Sequence, residues 1–212
     1  MTQRDDIADR FKQGDLARAY DLCLDALRHR PDDLWLRHRA VLCLIRSGAL
    51  ERAERDFYRF RLAEARHNED CLALGARLLK AMAFEANAED FPTLARSAAD
   101  RYAAVFEQTG GHYPGINAAT MALLAGDRER SVDLARQVLE SCRSGLPLDP
   151  EAAYYQKASE AEAHLLLAQP DAALQALHLC NPTTRERVAQ HPAASPEAAS
   201  PEAPKFLLSQ LP

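Results

Sequence analysis

Few residues in this 212-residue chain stand at spacings that could do chemistry. His178 and Cys180 lie two apart, and His29 and His38 straddle a turn at Pro31, yet neither pair has the ligand spacing of a zinc site. Cys71 and Cys142 carry no local signature of a nucleophile, and the sequence holds no G-x-S-x-G turn to present a serine. Paired carboxylates occur at Glu160 with Glu162 and at Asp5 with Asp6. General acid–base work needs burial or a shaped cleft to move their pKa values. The sequence reads them instead as a solvated helix face and as charges at a helix start. No metal, cofactor or catalytic residue is expected, and the chain reads as a binding protein without enzymatic activity.

Candidates for binding are Trp35, His38, Arg39, Lys80, Tyr113, Asn117, Tyr154, Tyr155 and Lys157. The densest stretch is GGHYPGINAATMALLAGDRERS, residues 110–131. Gly110 and Gly111 suit positive-φ turn geometry, Pro114 suits the first position of the next helix, and Tyr113 stands beside its cap. Asn117 can hydrogen-bond the turn backbone, with Ile116, Ala119, Thr120 and Leu123 facing inward. A helix start can also seat an anion, but no Lys, Arg or G-K-[S/T] accompanies this one to make a phosphate loop. The phrase therefore reads first as a packing hinge. The alternative is a small-molecule sensor with a nucleotide or peptide signal at the turn over residues 110–117.

The elements that would position these residues follow from an internal repeat. GDLARAYDLCLDALRHRP from Gly14 aligns with GALERAERDFYRFRLAEA from Gly48, pairing Ala19 with Ala53 and Cys23 with Phe57 at a period of 34 residues. That is the period of a tetratricopeptide helix-turn-helix unit. Gly permits the turn, a small Ala lets the second helix lie close, a larger residue fills the seam and Pro31 ends the unit. The phrase returns from Gly126, with Ser131 and Ala135, and degraded from Ala168, with Ala173. Gly48 and Gly126 are 78 residues apart, which leaves a third unit of 44 after one period is removed, and both its helices should be long. Caps and breakers place helices at 3–13, 15–29, 32–47, 50–66, 68–86, 91–108, 114–125, 127–143, 150–167 and 170–180. The expected fold is all-α: a right-handed solenoid of about five antiparallel helix pairs, with the first helix of each pair lining the concave face.

Composition sets the outer limits. The net charge of -5, with Lys and Arg scattered, gives no footprint for nucleic acid. No apolar run is long enough to span a bilayer, and the charged start MTQRDDIADRF does not read as a secretory signal, so a cytoplasmic protein is expected. Cys23, Cys43, Cys71 and Cys142 fall inside helical patterns and Cys180 near a helix end, which suits packed, reduced thiols. The solenoid should occupy residues 1–182. Residues 183–204, rich in Pro, Ala, Ser and Glu, read as a linker, and 205–212, KFLLSQLP, as a short apolar tail. Phe206, Leu207, Leu208 and Leu211 could dock that tail into its own groove, or into a neighbour's to make a homo-oligomer.

The run NEDCLALGARLLKAM, followed by RYAAVFEQTGGHYPGINAATMALLAGDRERSVDLARQVLESC, resembles the tetratricopeptide-type regulatory region of the apoptosis signal-regulating kinases, their TRAFs-binding domain. It resembles still more the bacterial versions that precede nucleotide cyclase, TIR or other effector domains. The phrase GG-x-Y-x-GINAAT, residues 110–120, carries the resemblance, which extends over roughly residues 1–180. It implies a non-catalytic scaffold or sensor that regulates a signalling effector through protein contacts. No cyclase, kinase or TIR domain follows in this sequence, so a fragment or a separate effector polypeptide is expected. Some repeats of this class grip a terminal carboxylate with Lys and Asn. Asn117 alone sits at a comparable offset here, so that clamp is not expected.

Overall fold

The computed structural model describes residues 2–179 except 66, 146 and 148. Among them the chain forms α1 (Gln3–Lys12), α2 (Leu16–Leu27), α3 (Leu34–Arg46), α4 (Leu50–Arg59), α5 (Glu69–Glu85), α6 (Phe91–Thr109), α7 (His112–Leu124), α8 (Arg128–Ser144), α9 (Pro150–Leu166) and α10 (Pro170–Leu179). Helix starts are written locally: the side chains of Asp15, Asp33, Asn68, Asp127 and Asp149 each accept a backbone N–H of the first turn. Thr2 and Asp5 close a reciprocal capping box on α1.

Each helix packs on its successor, and α3 also packs on α5 and α7 on α9. The first helices of successive pairs thus run along the inside of a curve. The repeat positions take the roles their residue types suggest. Gly14, Gly48 and Gly126 hold φ of +77 to +85° in the turns within pairs, and Ala19, Ala53, Ser131 and Ala173 are buried in the tight seams. The third unit is long as expected, with α5 of 17 and α6 of 19 residues.

Most helix ends differ from the sequence reading by one or two residues, and two of the differences have a physical cause. The helix expected over 50–66 ends at Arg59: Arg61 turns left-handed at φ 56° and a 3₁₀ turn over Leu62–Glu64 follows. That break drives Leu62 fully into the core, and the Arg37 guanidinium donates to the Phe60 carbonyl that the break leaves over. The helix expected from 114 starts at His112, with Gly111 as its N-cap. Pro114 stands one turn in, where its missing N–H has no intrahelical partner to lose.

The core forms two clusters that meet at α5. Ile7, Phe11, Cys23, Leu36, Val41 and Phe57 belong to the first, and Tyr102, Ile116, Met121, Leu134 and Val138 to the second. Cys71, Leu74 and Leu78 turn toward the first cluster while Ala73 and Ala76 turn toward the second. Burial pushes the Cys43 thiol up to about 12 and that of half-buried Cys142 up to about 11, so both are packing groups and poor nucleophiles. Among the described residues no helix is long and apolar enough to cross a membrane.

Candidate functional site

Three first helices present polar side chains at helical spacing to the inner face: Arg77 and Lys80 on α5, Tyr113, Asn117 and Thr120 on α7, and Ser159 and Glu162 on α9. They are joined across units. Lys80 Nζ donates to Asn117 Oδ1 at 2.9 Å, and Asn117 Nδ2 donates to the Tyr113 carbonyl at 2.9 Å. Thr120 Oγ1 donates to Glu162 Oε1 at 2.8 Å. His112 Nδ1 and Ser159 Oγ, 2.9 Å apart, tie the start of α7 to α9.

The electrostatics follow from burial. Desolvation lowers Lys80, the Glu162 charge works against that, and Arg77 lowers it further. Desolvation raises Glu162, opposed by the Thr120 hydrogen bond and by Lys80. A cation on α5 and a carboxylate on α9 thus stabilise each other's charged forms through the polar side of α7. The sequence reading of Glu162 as part of a solvated face is corrected here: it is largely buried and hydrogen-bonded, because α7 covers it. Glu160, two residues away, does pair on its own helix, with Lys157 at 2.5 Å.

The GGHYPGINAAT phrase serves packing and this cluster together. Gly110 takes a left-handed φ of +70° and ends α6. A Cβ on Gly111 would overlap the Glu69 carboxylate, and one on Gly115 would press Val138 and Phe106. Glu69, on α5, therefore lies against the N-terminus of α7, where a carboxylate is favoured by the helix dipole. Burial raises Glu69, while its hydrogen bond with Thr109 opposes the shift. An anion seated at this turn would have to displace that side chain.

Farther along the inner side, α1 and α3 stack cations on rings. Arg4 and Arg39 lie 5.1 and 5.0 Å from the Trp35 centroid, and Arg39 and Arg46 both lie 4.5 Å from that of Phe11. Trp35 is half-buried, while His38 and Arg39 are buried in the inter-helix packing. Tyr155 meets Tyr154 edge-on at 5.3 Å, and burial pushes its hydroxyl up to about 12. The structure thus joins Lys80, Asn117 and Tyr113, groups Trp35 with Arg39, and leaves Tyr155 and Lys157 outside both groups. Phe206, Leu207, Leu208 and Leu211 lie outside the described residues. Sequence reasoning missed Thr120, Glu162, Glu69, His112 and Arg46. Thr120 and Glu162 are 42 residues apart, and no local spacing announces such a pair.

Antiparallel helix pairs packed in succession define a helical-repeat protein. A family model described as Tetratricopeptide Repeats-Sensor matches residues 14–122, more than half of the chain, and the chain belongs to that family. The fold is shared with the crystal structure of TTC0263, a thermophilic TPR protein in Thermus thermophilus: TM-score 0.62, 17% identity, covering 87% of this chain and 94% of that one. The crystal structure of MamA protein aligns at TM-score 0.46 and 13% identity, over 90% of this chain and 94% of that one. No curated protein matches the chain.

Proposed function

We propose that this chain is a non-catalytic interaction and regulatory module whose concave face receives a partner protein and passes the event to a signalling effector. The observation that carries this reading is the cluster of Lys80, Asn117, Thr120 and Glu162, which gathers buried charge from three units onto the inner face. A surface meant only for packing gains little from such groups, since apolar residues of the same volume stabilise as well or better. The membership in a tetratricopeptide sensor family supports it. The effector is of cyclase-like or TIR-like type, following the resemblance of residues 110–120. The solenoid over 1–182 acts as the receiver, joined by the linker to the apolar tail.

The test is capture of partners by the whole chain, identified by mass spectrometry, beside Asn117→Ala and Tyr113→Ala. The expected result is a protein carrying an effector domain, captured by the parent and lost with either variant while both retain the parent's helical circular dichroism. Equal capture by parent and variants would remove the inner face from the reading. A thermal-shift screen with nucleotides addresses the small-molecule alternative: a shift abolished by Asn117→Ala would favour it.

A further inference from the structure

The last described pair of helices leaves open a position that the earlier pairs close. Four turns within pairs hold a left-handed residue: Gly14, Gly48, Gly126 and Ala168. Nine residues after each stand Cys23, Phe57, Ala135 and Leu177. The first three are 0%, 3% and 0% exposed, whereas Leu177 is 48% exposed. Phe57 shows what covers this position: its ring lies against Gly75, where a Cβ would come within 3.0 Å of it, and Gly75 is on α5, the first helix of the next unit. Among the described residues α10 packs chiefly on α9, with Ala173 and Ala176 buried. Leu174, three residues before Leu177 and so on the same side of α10, is 55% exposed. An apolar seam is thus left at the end of the stack, where a solenoid needs a cap with a polar outer face.

We propose that residues 206–211 of the same chain dock on the Leu174 and Leu177 seam of α10 and cap the solenoid in place of a further unit. The sequence supplies the occupant. Past α10 the large apolar residues are Val188 and then the cluster Phe206, Leu207, Leu208 and Leu211. Leu211 stands four residues after Leu207 and three after Leu208, the spacing that gives one turn of helix an apolar side. The tether has the reach. A flexible linker of 22 residues, the length of 183–204, has a root-mean-square span of about 25 Å, against roughly 15 Å for the length of α10. A segment so tethered meets α10 at an effective concentration on the order of millimolar, so it outcompetes the tail of another molecule at micromolar protein. The seam belongs to the second helix of its pair, apart from the inner-face cluster on α5, α7 and α9, so this capping stands or falls independently of partner capture there.

The test is the full chain with Phe206 replaced by the photo-cross-linker p-benzoylphenylalanine, irradiated at micromolar concentration and mapped by peptide mass spectrometry. The expected product is an adduct within one molecule, on α10 around Leu174 and Leu177, with a yield that dilution does not change. Leu207→Ser with Leu211→Ser, outside the solenoid, should lower that yield by about fivefold or more and reduce hydrogen-exchange protection in α10, with α2 and α3 unchanged. Leu174→Ser with Leu177→Ser should also remove the adduct. If that variant loses the helical signal of α10, the tail variant alone carries the test. Adducts on α3, α5 or α7 would put the tail in the inner groove and overturn the site. Adducts between molecules, with a yield that falls on dilution, would assign the seam to a second copy and overturn capping by the chain's own tail. No adduct on α10, or one insensitive to the tail variant, would overturn the docking itself.

Discussion

Thr120 shows how the inner-face cluster is held residue by residue. Its hydroxyl donates to a Glu162 carboxylate that burial has already pushed toward neutrality. Thr120→Val keeps the shape and removes the donor, which should cost about 1–3 kcal/mol by urea denaturation, because the acceptor stays buried. A loss below about 0.5 kcal/mol would mean that Glu162 finds water or another donor. His112 makes a second, pH-dependent claim. Burial lowers its pKa, so the folded protein binds this proton less readily than the unfolded chain. Its contribution is complete above an unfolded value of about 6.5 and is lost as pH falls through the lower folded value. Glu69 and Glu162 have the opposite sign: their raised values contribute stability below the ordinary carboxylate range, which is lost as pH rises through the folded values. The loss of stability just below neutrality should therefore be reduced in His112→Gln. Denaturation midpoints taken across that window check it, and parallel slopes for parent and variant would refute the assignment.

At the scale of the element, the turns within pairs show what the sequence can and cannot announce. Gly14, Gly48 and Gly126 all adopt left-handed φ with open space around the missing Cβ, so they are required by backbone conformation alone. Ala168 takes the same conformation, φ 57°, in the turn between α9 and α10, where the repeat phrase is degraded. Ala168→Gly should stabilise the chain by about 0.5–1 kcal/mol, and Gly126→Ala should destabilise it by at least as much. A thermal denaturation series settles both signs. The pairing of helices, their small-residue seams and the length of the third unit were legible because each depends on residues within one period. The end of α4 was not, since Arg61 and Leu62 are not breaker residues and the left-handed Arg61 that precedes buried Leu62 has no local signal. Lys80 and Asn117 could each be picked out as inner-face residues, but their bond could not, because it closes over 37 residues and depends on how α5 and α7 dock.

Across the whole molecule, the main packing of the helical repeats is between neighbouring units, so stability is close to a sum over neighbours. The two core clusters give that sum a natural division, with α5 as the shared helix: Leu74 and Leu78 face α1–α4, while Ala73, Ala76 and Ala83 face the units that follow. Gly75 lies at the same junction, where a Cβ would come within 3.0 Å of the Phe57 ring. Leu74 is 2% exposed, and Leu74→Ala should cost about 2–5 kcal/mol in its own cluster. Native-state hydrogen exchange should show that cost as lost protection in α2, α3 and α4, with α7 and α8 changed much less. Uniform loss along the chain would instead mean one cooperative unit.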